Sequence, residues 1–160
     1  KWLKRHYPYQ EQVQLEVIDI WHFGMSALFA HYNSVTDIAD AILGAWSTIE
    51  NQQLTVHQAT EELAAWCLMH KSFSASHFWQ LLVAVELDFE QLFVAYVGKN
   101  VLNFFRQDNG YKDGSYIKLW NGKEDNQHLV ELTTELDTEA VSFRDDLYNA
   151  LSNRYQQLTG

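Results

Sequence analysis

Proline is almost missing from this 160-residue chain, which has only Pro8, and glycine is sparse, with seven. So few turn formers exclude an all-β chain with many tight turns. Cysteine is limited to Cys67, so no disulfide can form within the chain and a reducing, cytoplasmic setting is expected. No apolar run reaches the ~18 residues of a membrane span and no signal peptide is visible, so no membrane partner is expected. Positive charge is scarce as well: 11 Lys and Arg against 21 Asp and Glu leave a net charge of −10. That balance argues against a nucleic-acid partner, because phosphate contacts draw on Lys and Arg.

What is present is apolar and aromatic. A hydrophobic content of 47% with 14% aromatics describes a packed globule, and the length suits a single domain over residues 1–160. The chain opens directly in Lys1-Trp2-Leu3-Lys4-Arg5, from which a missing N-terminal part is expected. Charge is unevenly placed. Between His6 and Gly98 the only cation is Lys71, against eleven acids. Lys99, Arg106, Lys112, Lys118 and Lys123 then follow within a short stretch that holds only Asp108 and Asp113 as acids. Such a concentration suits a small polyanion such as a nucleoside triphosphate, or balances neighbouring acids.

The periodicity predicts an all-α helical bundle with one long irregular loop. Pro8 falls just before or in the first turn of an opening helix that runs to about His31. At about 100° per residue, Gln12, Glu16, Asp19, His22 and Ser26 share a polar sector of this helix, roughly 120° wide. Val13, Leu15, Val17, Ile18, Ile20, Trp21, Phe23 and Met25 make the remainder fit for burial. Two carboxylates one turn apart on a buried helix need compensation, which a hard divalent cation supplies. Glu-x-x-Asp is a common pattern, however, and a solvent-facing polar edge explains it equally well.

Capping signals at Ser34, Thr55, Ser74 or Ser76, and Asp88 open four further helices. The second runs to about Asn51, and the third turns Leu63, Trp66 and Met69 inward. Trp46, Trp66 and Trp79 fall at core-like positions. Gly98, inside the fifth helix, suggests a close approach. The chain then becomes turn-rich, with Asn109-Gly110 and Asp113-Gly114 as strong turn pairs and residues 116–120 as a short strand at most. Loops of this length in compact domains are often functional. Glu124-Asp125-Asn126 serves as an N-cap, and a last helix capped by Thr138 carries Val141, Phe143, Leu147 and Leu151. Lys99, Asn103 and Arg106 line one helix face beside the loop, suited to phosphate oxygens and a sugar hydroxyl, or paired with Asp108 and Asp113.

Two blocks resemble a known family. Glu16-Val17-Ile18-Asp19-Ile20-Trp21-His22-Phe23 is similar to the Glu-x-x-Asp-x-x-His-Phe segment of the dimeric all-α dUTPases, which belong to the MazG-like NTP pyrophosphohydrolases. Residues 99–126, KNVLNFFRQDNGYKDGSYIKLWNGKEDN, resemble that family's downstream motifs almost position for position. The resemblance implies a homodimeric, all-α dUTP diphosphatase with a substrate-binding loop, hydrolysing dUTP and dUDP to dUMP in nucleotide-pool sanitation. It implies Glu16 and Asp19 as ligands of Mg²⁺, for which Mn²⁺ could substitute, with Asp19 also near the deoxyribose. His22 and Phe23 would border the uracil. Lys99, Asn103, Arg106, Lys112, Tyr116 and Asn126 would hold the sugar and the phosphate chain.

One feature departs from the family pattern, which places a Glu-Glu-x-x-Glu helix upstream of Glu-x-x-Asp as further metal ligands and general base. Nothing before Glu16 matches it, and Glu61-Glu62, followed by Leu63-Ala64-Ala65, is no substitute. Lys1-Trp2-Leu3-Lys4 resembles the tail of the segment that follows that helix, so the catalytic acids are expected to lie in an N-terminal part that this chain lacks. The alternatives are a related pyrophosphohydrolase for another or modified nucleotide, or a non-catalytic helical nucleotide-binding homodimer.

Overall fold

The computed structural model describes residues 9–159, and Pro8 and Lys1-Trp2-Leu3-Lys4-Arg5 lie outside them. Among the described residues the chain forms seven helices and one two-stranded hairpin, an all-α fold. None of these helices is long and apolar enough to cross a membrane. The chain divides into two compact units, residues 1–92 and 93–160.

The first unit contains α1 (Tyr9–Leu28), α2 (Val35–Thr48), α3 (Val56–His70) and α4 (Ala75–Ala84). Helix α4 is its centre: Phe78, Gln80, Leu81 and Leu82 are buried, and α1, α2 and α3 all pack on it. Trp21 of α1 stacks on Phe78 at 4.9 Å between ring centroids and meets Trp46 at 5.7 Å. The indole N–H groups are satisfied, Trp46 donating to the Ala75 carbonyl and Trp79 to Asn51 Oδ1, as buried indoles require. The helix starts follow the sequence signals. Ser34 caps α2, Thr55 and Gln58 form a reciprocal box at α3, and Ser74 rather than Ser76 caps α4.

The second unit holds most of α5 (Phe89–Asp108), then β1 (Leu119–Trp120), β2 (Lys123–Glu124), α6 (Asp125–Glu135) and α7 (Phe143–Thr159). The expected cap is present: Asp88 Oδ1 accepts the Gln91 N–H while Gln91 Oε1 accepts the Asp88 N–H. The strands pair antiparallel, Trp120 opposite Lys123, across Asn121 and Gly122. Both turn residues have positive φ, 48° and 82°, as a two-residue hairpin turn of right-handed twist demands. The core gathers Val101, Leu102, Phe105, Trp120, Leu129, Leu132, Phe143, Leu147 and Leu151. Phe105 sits among Tyr116, Trp120, Tyr148 and Tyr155, each edge-on to it at 5.4–6.2 Å.

Several expectations are corrected. Helix α1 is not buried on most sides: Val17, Trp21, Gly24 and Leu28 form one stripe, joined by Ile18, whereas Phe23 is 77% exposed. Spacings of four, three and four residues put that stripe on one face, and α4 covers only one face. Met69 is likewise 77% exposed rather than turned inward. Helix α2 stops at Thr48, before Asn51, because the buried Gln80 amide takes the following backbone: it donates to the Glu50 carbonyl and accepts the Gln52 N–H. Helix α1 stops at Leu28, where the Leu28 carbonyl accepts the N–H groups of both His31 and Tyr32 in a turn. Helix α7 starts at Phe143 rather than after Thr138. Asp137 closes local turns with the N–H groups of Glu139 and Ala140, and Val141 stays fully exposed. The close approach lies at Gly24 rather than Gly98. A Cβ on Gly24 would stand 2.5 Å from the Phe73 ring, while one on Gly98 would meet Leu129 at an ordinary 3.5 Å.

Candidate functional site

The proposed site residues fall in both units. On α1, Glu16 is exposed, and Asp19 and His22 are half-buried. A spacing of three residues, from Glu16 to Asp19 and from Asp19 to His22, keeps all three along one side of the helix. The His22 carbonyl is additionally held by the Ser26 hydroxyl at 3.0 Å. Phe23 projects next to a hollow of about 380 Å³ lined by Ile20, Gly24, Cys67, Lys71 and Phe73 among others. Two carboxylates with water and phosphate oxygens match how Mg²⁺ is usually bound, since it keeps several waters and takes one or two protein carboxylates. The donor set therefore fits the ion. Among the described residues, no three His, Cys, Asp or Glu side chains form a group able to hold a metal ion.

In the second unit, Arg106, Tyr116 and the Asn126 backbone N–H converge on one buried carboxylate, Asp125, which is 0% exposed, and Asn103 joins the cluster through Arg106. Arg106 donates through Nε to Asp125 Oδ2 and through Nη2 to Oδ1, both at 2.7 Å. The Tyr116 hydroxyl donates to Oδ2 at 2.9 Å and the Asn126 backbone N–H to Oδ1 at 2.8 Å. Arg106 Nη1 lies 3.5 Å from Asn103 Oδ1, one helical turn back on α5. The Tyr111 ring lies 6.0 Å from the guanidinium carbon. Lys99 is half-buried on the same helix, four residues before Asn103, and Lys112 is exposed in the loop.

The loop that carries Tyr116 is well tied. Asp113 Oδ1 accepts both the N–H and the hydroxyl of Ser115, and Tyr155 Oη accepts the Ile117 N–H. The Asp125 N–H in turn donates to the Lys118 carbonyl at 3.0 Å. Tyr116 stacks on Tyr155 at 5.5 Å.

Electrostatics follow from these contacts. Burial works against the Arg106 charge, but the hydrogen bonds and the charge of Asp125 outweigh it and hold the guanidinium pKa above its ordinary value. Burial, then the Asp125 charge and hydrogen bond, push the Tyr116 phenol well above the usual tyrosine range, so it remains a donor. Hydrogen bonds from Ser115 lower Asp113, and the ammonium of Lys123 lowers Glu131.

Asp125 itself is the residue that sequence reasoning overlooked. It was assigned with Glu124 and Asn126 to helix capping, a role that Glu124 takes instead as the N-cap residue of α6. The available signal was a pair of acids, Glu124 and Asp125, following a stretch rich in Lys, Arg and Asn.

Comparison with known proteins identifies a family. The family model described as dUTPase, that of the all-α dUTPases, matches residues 1–111. That span includes Glu16, Asp19, His22 and Phe23, and on α5 also Lys99, Asn103 and Arg106. No curated protein matches the chain.

Proposed function

The chain belongs to the all-α dUTPase family, and from that premise we propose that it is a Mg²⁺-dependent dUTP diphosphatase releasing dUMP from dUTP and also from dUDP. The observation that carries this reading is the family match over residues 1–111, which supports dUTP hydrolysis in general. The convergence of Asn103, Arg106, Tyr116 and Asn126 supports it further, since it gathers the groups that would meet sugar and phosphate oxygens.

In this reading Glu16 and Asp19 hold Mg²⁺, or Mn²⁺ in its place, and Asp19 also lies near the deoxyribose. A bound divalent cation supplies neutralisation of the charge that builds on the phosphate oxygens. His22 accepts or donates at the uracil edge, and the exposed Phe23 ring offers an apolar face to the base. Lys99 and Lys112 bring positive charge to the phosphate chain, while Asn103, Arg106, Tyr116 and Asn126 orient sugar and phosphate through directed hydrogen bonds. The working protein is a homodimer in the cytoplasm.

The test is dUMP release from dUTP and Mg²⁺ by the full-length protein, with a second measurement on Asp19→Asn. The wild type is expected to convert dUTP, and the variant to lose Mg²⁺-dependent nucleotide binding in a calorimetric titration. Inertness toward dUTP alongside rapid cleavage of another nucleotide refutes the substrate. Unchanged affinity in Asp19→Asn refutes the ligand assignment.

A further inference from the structure

Asp125 accepts four hydrogen bonds, two on each oxygen: Arg106 Nη2 and the Asn126 N–H on Oδ1, Arg106 Nε and the Tyr116 hydroxyl on Oδ2. An ionised carboxylate offers about four lone-pair sites, so the protein itself saturates this one. Its burial at 0% exposure fits that saturation and leaves it no role as a metal ligand or general base. The carboxylate also sits on the first residue of α6, at the positive end of the helix dipole.

The cost of burying this pair is set against what it fixes. Arg106 has two of its three nitrogens committed to Asp125, leaving Nη1, beside Asn103 Oδ1, as the nitrogen not engaged by the carboxylate. The two formal charges cancel, so the pair adds direction more than net positive field. We propose that Asp125 is a positioning residue for nucleotide binding. It holds the Arg106 guanidinium, the Tyr116 hydroxyl and the Asn126 backbone in one register, so that Arg106 meets the nucleotide as an aimed hydrogen-bond donor and not as a loose counter-charge. This inference rests on the dUTPase reading above.

Two consequences separate positioning from mere support of the fold. Lysine keeps the charge of Arg106 but cannot form the two-pronged contact, so Arg106→Lys behaves like Asp125→Asn and does not preserve function. Tyr116→Phe keeps the ring against Tyr155 and removes the hydroxyl, and with it one of the four donors to Asp125, so its effect is smaller and in the same direction.

The experiment measures kcat and KM for dUTP in the full-length wild type and these three variants, with circular dichroism to establish folding. KM is expected to rise about 10-fold in Asp125→Asn and Arg106→Lys and about 3-fold in Tyr116→Phe, with kcat within about 2-fold, as for groups that bind ground and transition states alike. A role confined to folding lowers the melting temperature and leaves KM of the folded variants unchanged, and that result overturns the inference. If Asp125→Asn does not fold, Tyr116→Phe decides: a raised KM supports the inference and an unchanged one rejects it. A wild type inert toward dUTP overturns the dUTPase reading and this inference together; an active wild type with unchanged KM in the variants overturns this inference alone.

Discussion

Glu16 on α1 and Asp125 on α6 are both helix acids within stretches that resemble the same family, yet one is exposed and the other is fully buried. Glu16 belongs to a helix edge fixed by a three-residue spacing and is exposed there. Asp125 is buried inside the second unit, where Arg106 from α5, Tyr116 from the loop and the α6 backbone all reach it. The first kind of site residue is a pattern on one element. The second is a product of loop closure, with all four hydrogen bonds on its carboxylate supplied by the protein.

The sharpest way to break this comparison is the same truncation at both acids. Asp125→Ala leaves the largely buried Arg106 without a partner and is expected to cost about 3–5 kcal/mol in denaturant unfolding. Glu16→Ala, at an exposed position, is expected to stay within about 0.5 kcal/mol. Equal losses would remove the distinction between a patterned edge and a closed cluster.

Two interior helix glycines, Gly24 and Gly98, extend the comparison to packing. Gly24→Ala pushes a methyl into the buried Phe73 ring and is expected to destabilise by about 1–3 kcal/mol, less the gain in helix propensity. Gly98→Ala meets only van der Waals contacts and is expected to stabilise by up to ~1 kcal/mol. Thermal unfolding of the two variants should therefore shift in opposite directions.

The smallest effect is a pH slope. The folded state keeps the Tyr116 proton that the unfolded chain releases from about pH 10 upward. The folded form then binds more protons, so stability falls as pH rises past that point. Tyr116→Phe lacks this component, and its stability should decline less steeply above about pH 10, by up to one proton. Parallel slopes would show that Asp125 does not hold the phenol protonated.

Much of this was legible in the sequence. Ser34, Thr55 and Asp88 marked helix starts correctly because a capping side chain and its N–H partner lie within three residues of each other. The all-α class followed from 3.6-residue periodicity and scarce turn formers, and the dUTPase resemblance, carried by residues 16–23 and 99–126, is the family whose model matches. The misplaced end of α1 and start of α7 reflect local turns at Leu28 and Asp137, but the other errors were non-local. Phe23 and Met69 are apolar side chains at helical spacing, and nothing within their own helices says whether a neighbour covers them. The end of α2 depended on Gln80, 28 residues beyond the Gln52 N–H it accepts.

The sequence by itself therefore determined the helices, their caps, the turn glycines, the uneven charge and the two stretches that carry the family resemblance. Each of these rests on interactions between residues a few positions apart, where chain geometry leaves little choice. The tertiary structure alone decided which helix glycine tolerates no side chain, which apolar residues remain exposed, and that Asp125 is the point on which Arg106, Tyr116 and the Asn126 backbone converge. Those outcomes depend on close packing and on burying charge with its partners, and both are set only when distant segments meet.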